Sequence, residues 1–148
     1  MGTDMLVTLL RHLTDNSIHM SMDKFAQATC RHVYSILAVI VENYNLNEFL
    51  VCHLAFSPYQ EAGSWTILNH LGRSLGAEHL LAVILCHNMR LVQLVHDDTI
   101  RRVVRIFVQE CRHDKMVLEF LTSLCSCNGQ QVRKNQVSCL RHATTTCR

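Results

Sequence analysis

Apolar side chains recur at helical spacing along almost the whole chain, and this periodicity restricts the folds that it can adopt. From Ile100 to Cys111, for example, the apolar residues fall on one face of a helix and the arginines fall on the others. A sandwich or barrel of many short strands needs frequent turns, yet the chain has one proline and five glycines. Strand patterns are absent from the sequence. We therefore predict an all-α fold.

Seven or eight short helices are expected, joined by short turns. Several of them lack a polar face, and successive pairs of this kind suggest an armadillo-like α-solenoid or helical bundle. Asp114 is placed to cap a helix, and the Asn128-Gly129 pair has the left-handed preference of a helix stop. The predicted helices cover, approximately, residues 6–16, 23–44, 46–56, 59–71, 76–86, 89–95, 97–111 and 115–127.

Length and charge restrict the class of protein further. The 148 residues suffice for one domain, and the net charge of +2 gives little attraction for nucleic acid, which we do not expect as a partner. The first residues lack a secretory signal, and no apolar run approaches the roughly 20 residues that span a bilayer. We expect a cytosolic location, where the eight cysteines stay reduced.

Candidate catalytic and metal sites are weak in this sequence. Cys125, Cys127, Cys139, His142 and Cys147 form the one cluster that resembles a closed ligand set, but their CxC and CxxH spacing departs from zinc ribbons and fingers. We therefore predict no metal and no cofactor. The P-loop, GxSxG and HExxH signatures are all missing, so we expect no enzyme activity.

Two basic residues form a candidate anion surface. Arg112 and Lys115 flank the turn before the last long helix and could hold a phosphate there. The alternative is that they are ordinary charged residues of a surface loop.

The segment from 111 to 136, CRHDKMVLEFLTSLCSCNGQQVRKNQ, carries a more specific signal. It resembles the helical domain shared by ryanodine receptors and inositol trisphosphate receptors, the RIH domain, and is most similar to the N-terminal helical domain of ryanodine receptors. In those receptors a leucine-rich helix leads into a Leu-Cys-x-Cys-Asn-Gly-x-x-Val-Arg-x-Asn-Gln run. Residues 78–107 look like the two preceding helices. The matching positions here are Leu124, Cys125, Cys127, Asn128, Gly129, Val132, Arg133, Asn135 and Gln136.

This resemblance implies a non-catalytic segment of a large tetrameric calcium-release channel, on the cytosolic face of the endoplasmic or sarcoplasmic reticulum. Such a segment contacts other domains or subunits of the channel and influences gating, without inserting into the membrane itself. The motif then has a structural or interdomain role, with Arg133 at a contact between domains. The alternative is a free-standing α-solenoid adaptor that binds another protein through its groove.

The end of the chain departs from this family pattern. Residues 137–148, VSCLRHATTTCR, show no helical periodicity, where the family continues with another apolar helix. We therefore predict a single helical domain over residues 1–136 and an irregular tail over 137–148. Val137-Ser138 is what an unspliced donor site would encode in frame, so the tail is either intron read-through or an ordinary disordered terminus.

Overall fold

The computed structural model describes residues 24–43, 66–86, 88–110 and 114–146. Within these ranges the fold is all-α, which confirms the predicted class; the solenoid arrangement stays a prediction. A π-helical segment, Ile106–Glu110, directly follows the helix Asp97–Arg105. The helices are α1 (Lys24–Asn43), α2 (Thr66–Asn69), α3 (Ala77–Cys86), α4 (Met89–Leu94), α5 (Asp97–Arg105), α6 (Lys115–Cys125) and α7 (Arg133–Thr146), with a short pair of strands, β1 (Ser126–Cys127) and β2 (Gln130–Gln131).

The α3 helix lies at the centre of the core. It packs against α1 on one side and α6 on the other, and its apolar residues are therefore buried almost all round. The α1 helix buries one face, where residues at helical spacing contact α3. The fully buried side chains of this layer include Leu37, Leu80, Leu81, Ile84, Leu85, Phe120 and Leu124.

Two glycines, Gly72 and Gly76, set the turn that leads into α3. Gly72 and Gly76 have φ angles of 75° and 95°, a backbone region that L-residues with side chains rarely enter. A Cβ atom at Gly76 would lie 3.5 Å from Cβ of Tyr34. The turn is therefore seated directly against α1.

The Asp114 prediction is also confirmed. The carboxylate of Asp114 accepts a hydrogen bond of 2.8 Å from the main-chain N–H of Met116 and caps α6. Val117, Phe120 and Leu124 then form the buried face of that helix, as their spacing predicts.

Two expectations for the end of the chain are wrong. The Asn128-Gly129 pair does not stop a helix: α6 ends at Cys125, and the pair forms the two-residue turn of a β-hairpin. Residues 137–146 are not irregular, because they continue α7, which packs against α5. Contact with α5 supplies the stability that the weak periodicity of this segment does not provide by itself.

Several predicted features lie outside the described residues. They include the helices over 6–16 and 46–56, most of the helix over 59–71, Arg112 and Cys147. None of the helices in the described part of the chain combines the length and the hydropathy that crossing a membrane requires.

Candidate functional site

The predicted motif folds as a short hairpin between α6 and α7. Ser126 pairs with Gln131, and Cys127 pairs with Gln130. The two residues between the strands, Asn128 and Gly129, have φ angles of 51° and 76°. Positive φ at both central positions is typical of a type I′ turn, and Asn-Gly is the pair that this turn prefers. The tip of the hairpin is exposed.

Asn135 holds the base of this hairpin from inside the core. Its side chain is completely buried, and Nδ2 donates to the main-chain carbonyls of Leu124 and Val92 at 2.8 Å and 3.0 Å. Carbonyls in the last turn of a helix lack partners within that helix. One side-chain amide therefore joins the ends of α4 and α6 to the first turn of α7.

The carbonyl of Cys125, at the end of α6, is a second point at which the chain around the start of α7 is attached to α6. It accepts a hydrogen bond of 2.9 Å from the N–H of Val132 and one of 3.2 Å from Nε2 of Gln136. The thiol of Cys127 turns inwards and lies 3.4 Å from the carbonyl oxygen of Cys86 in α3. These contacts fix both strands of the hairpin to the helices below them.

A polar cluster joins the start of α5 to the middle of α7. Asp97 accepts a short hydrogen bond from Ser138, and its Oδ2 lies 3.0 Å from Nε2 of His142. Arg141 approaches the same carboxylate at 3.4 Å. The hydrogen bond from Ser138, then that from His142, lowers the pKa of Asp97 below its usual value. The cluster holds α7 on α5 through a charge that stays ionised at neutral pH.

A cleft of about 370 Å³ opens between α1, the turn before α3 and the start of α6. Arg31, Tyr34, Glu78 and Asp114 contribute polar groups to its lining. Glu78 is buried and accepts a hydrogen bond of 2.5 Å from the N–H of Gly72, while burial raises its pKa. Arg31 donates to the carbonyl of Ser74, and Asp114 caps α6. The polar groups of the cleft thus hold the turn and the helix cap, which favours a structural role.

The hairpin, its buried amide and the α5–α7 cluster lie within one segment that is similar to a known family. Residues 4–142 match the family model of the RIH domain. The chain belongs to the RIH domain family. No match was found among curated proteins or among solved structures. The RIH domain is a domain of the ryanodine-receptor and inositol-trisphosphate-receptor type, as the sequence motif indicates, and the matched segment extends into α7.

Within the RIH domain, the structure brings the predicted motif residues together in three layers. Leu124, Cys127, Val132 and Asn135 are buried. Cys125 and Gln136 are half-buried and connect the two helices. Asn128, Gly129 and Arg133 lie at the surface.

The candidate anion surface is not assembled from the described residues. Lys115 is largely exposed, and its Nζ lies 3.4 Å from a carboxylate oxygen of Glu119 on the same helix. Arg112 lies outside the described part of the chain. Anion binding by this pair therefore stays a prediction.

The cysteines and the histidine that resemble a set of metal ligands contact different groups in the structure. Cys125 and Cys139 lie side by side, Cys127 turns to the carbonyls at the end of α3, and His142 turns to Asp97. Within the described ranges, no three His, Cys, Asp or Glu side chains converge as a metal site requires.

Sequence reasoning missed the contact between Asp97 and α7. The place of Asp97 at a helix start gives no sign of long-range partners, and these partners lie in the segment predicted to be irregular. The available signal was the spacing of Ser138, Arg141 and His142, which fall at i, i+3 and i+4 and so share one helix face.

Proposed function

We propose that this RIH domain is a non-catalytic, cytosolic part of an intracellular calcium-release channel of the ryanodine- or inositol-trisphosphate-receptor type. It lies at the endoplasmic or sarcoplasmic reticulum and contacts other domains or subunits of the channel, and these contacts influence gating. The observation that carries the proposal is the RIH match over residues 4–142.

The outer face of α7 supports a contact role. Arg133, Val137, Leu140 and Thr144 follow one another at i, i+4, i+7 and i+11, so they share one side of the helix, and all four are exposed. The apolar side chains of Val137 and Leu140 are 61% and 68% exposed. We call these four residues the outer face of α7. Its occupant in the proposal is another domain of the same channel.

The attachment of α7 supports transmission of movement. Asn135 ties its first turn to α4 and α6, and Asp97 ties its middle to α5. Packing in a core of this kind resists continuous deformation. A neighbour that displaces the outer face of α7 would therefore displace the helices beneath it as well.

The size of the native protein tests the proposal most directly. An antibody raised against residues 78–95 should detect, in denatured extracts of native tissue, a very large antigen in the membrane fraction. A sole band near the 17.0 kDa of this chain would contradict the channel proposal. That result would favour the alternative, a free-standing α-solenoid adaptor that binds another protein through its groove.

The contact role has its own test in the full-length channel. We expect Arg133→Ala, or Val137→Ser combined with Leu140→Ser, to change the calcium release that activating ligand evokes from the reticulum. Lys134→Ala is the matched control for Arg133, because both cations are exposed in the first turn of α7. Leu118→Ser is the control for the apolar pair, because Leu118 is a 50% exposed leucine on α6. Equal release by test and control variants, at equal channel abundance, would contradict a contact at this face.

A further inference from the structure

Two cysteine side chains meet where α6 ends and α7 passes it. Sγ of Cys125 and Sγ of Cys139 lie 3.5 Å apart, although the residues are 14 positions apart in sequence. Both side chains are half-buried, so the pair adjoins solvent. We propose that Cys125 and Cys139 form a dithiol site that a peroxide oxidises to an intramolecular disulfide. This inference stands independently of the proposed channel function.

The geometry permits the bond with little movement. A disulfide has an S–S length of about 2.05 Å, so the sulfur atoms, now 3.5 Å apart, must approach by about 1.5 Å. The surrounding backbone already fixes the spacing of the two helices. The carbonyl of Cys125 accepts hydrogen bonds from Val132 and from Gln136, the latter one helical turn before Cys139.

The contact also activates one of the two sulfurs. When Cys125 is ionised, the Cys139 thiol can donate a hydrogen bond to its thiolate, and this bond lowers the pKa of Cys125 to about 7. The same hydrogen bond raises the pKa of Cys139. Thiolates rather than thiols react with peroxides and disulfides. Cys125 is therefore the nucleophile of the pair and Cys139 is the resolving thiol.

Peroxide oxidises the two thiols in two steps. The Cys125 thiolate attacks one peroxide oxygen, the O–O bond breaks, and the leaving hydroxide takes a proton to form water. Cys125 is then a sulfenic acid, so neither the hydrogen bond to its thiolate nor its negative charge any longer raises the pKa of Cys139. The Cys139 sulfur attacks the Cys125 sulfur, and the sulfenic hydroxyl leaves as a second water with the Cys139 proton. Two thiols have lost two electrons, and the peroxide has gained them.

Two of the remaining described cysteines, Cys30 and Cys127, are less suited to this reaction, and the third, Cys86, is half-buried at the end of α3. Cys30 is fully buried in the core. Cys127 is buried as well, and its thiol faces the carbonyls of Leu85 and Cys86. Burial raises the pKa of both thiols, which keeps them protonated. Cys127 is the important comparison because it lies two residues from Cys125 in the same peptide.

Peptide mapping tests the proposal on the full 148-residue chain. The reduced protein is treated with hydrogen peroxide, its free thiols are alkylated, and it is digested with trypsin without reduction. Trypsin releases residues 116–133, with Cys125 and Cys127, and residues 135–141, with Cys139. We expect a linked pair of these peptides, about 2 Da lighter than their sum because two hydrogen atoms are lost.

Cysteine-to-alanine variants identify which two cysteines form the disulfide. It should form in the native chain and in Cys127→Ala, and it should be lost in Cys125→Ala and in Cys139→Ala. A bridge that persists in Cys125→Ala but disappears in Cys127→Ala would overturn the assignment. So would a yield in the native protein no higher than in protein held in guanidinium chloride during oxidation, because the proposal depends on the folded contact.

A second measurement covers variants that fold poorly. In the Cys127→Ala background, alkylation of Cys125 followed against pH should reach half its limiting rate near pH 7. Adding Cys139→Ala should move this midpoint upwards, towards the pKa of about 8.5 of an ordinary cysteine. An unchanged midpoint, in protein whose circular dichroism shows folded helices, would overturn the sulfur–sulfur contact on which the proposal rests.

Discussion

The side-chain nitrogen of Asn135 donates a hydrogen bond of 2.8 Å to the carbonyl of Leu124, which joins the first turn of α7 to the last turn of α6. The same nitrogen donates to Val92 at the end of α4. Because Asn135 is completely buried, water cannot replace either bond when the amide is removed. The motif thus has a buried polar centre beneath an exposed hairpin.

Asn135→Ala should therefore lower the free energy of unfolding by about 2 kcal/mol, since the Leu124 carbonyl loses its side-chain donor and the Val92 carbonyl keeps only the 3.4 Å bond from the N–H of Val95. Asn135→Asp should cost more than the alanine variant, because it also places a carboxylate oxygen against those carbonyls. Urea unfolding measures both. The neighbouring control, Lys134→Ala, lies at the surface and should change stability by less than about 0.5 kcal/mol. A cost for Asn135→Ala no larger than that of the control would contradict this role.

The turn requires glycine at position 129 because of the backbone conformation there, and not because neighbouring atoms would exclude a side chain. Its φ angle is 76°, and a Cβ atom there would meet nothing within 4 Å. Gly129→Ala should therefore cost about 1 kcal/mol through strain in the left-handed region, with no clash. Gly129→Asn should cost less, because asparagine tolerates that region. If the two variants unfold at the same urea concentration, the turn does not impose the positive φ.

His70 makes the stability of the domain depend on pH. The ring is buried, and its Nδ1 lies 2.7 Å from the hydroxyl of Tyr34. Burial, with a smaller effect from the charge of Arg73, lowers the pKa of His70 from 6.5 to about 4. Between these values the unfolded chain binds a proton that the folded chain does not. The free energy of unfolding therefore falls as pH falls from about 6.5 to about 4.

Each unit of pKa corresponds to about 1.4 kcal/mol, so this loss should approach about 3 kcal/mol in total. Urea unfolding at a series of pH values measures it. The control is His79→Gln, since His79 is exposed and its removal should leave the loss in place. His70→Gln should remove most of the loss. An identical pH profile for His70→Gln and the unmodified chain would contradict the assignment.

Asp97 should stabilise the domain only while it is ionised. Its hydrogen bonds from Ser138 and His142 lower the folded-state pKa, so the stabilisation is present above the unfolded value near 4 and is lost as pH falls through the folded value. Asp97 is 46% exposed, and water screens the interaction. We therefore expect Asp97→Asn to cost no more than about 1 kcal/mol at pH 7.

Asp98→Asn is the matched control for this prediction. Asp98 also lies in the first turn of α5, where the helix dipole stabilises a negative charge. Its ion-pair partner, however, is the exposed Arg101 of the same helix. Asp97→Asn should be the more destabilising of the two at pH 7, and the difference should vanish towards pH 2. Thermal unfolding at the two pH values measures it. Equal melting temperatures at pH 7 would show that the contact with α7 contributes nothing.

The residues with a clear helical period or a strong local preference could be predicted from the sequence. The periodic apolar residues of α3 and α6 define their buried faces, and Asp114 caps α6 through a bond to a residue two positions away. Gly72 and Gly76 adopt the positive φ angles that their type suggests. These features depend on neighbours in sequence, so the local pattern is sufficient.

The end of the chain could not be predicted in this way, because polar side chains are buried there while apolar side chains are exposed. In α7 the polar residues Asn135 and Ser138 are buried, whereas Val137 and Leu140 are 61% and 68% exposed. A search for apolar residues at helical spacing therefore finds no inward face in this segment. Burial of polar groups becomes favourable only when hydrogen-bond partners are in place, and here those partners belong to α4, α5 and α6.

The sequence by itself thus determined the all-α class, most helix boundaries in the described part of the chain, and the RIH motif, because each depends on periodicity, caps or residue types at fixed spacing. The tertiary structure alone decided that residues 137–146 are helical, that Asp97 meets His142, and that Cys125 meets Cys139. These contacts join positions separated by many residues. They depend on the Asn128-Gly129 turn, which reverses the chain between α6 and α7.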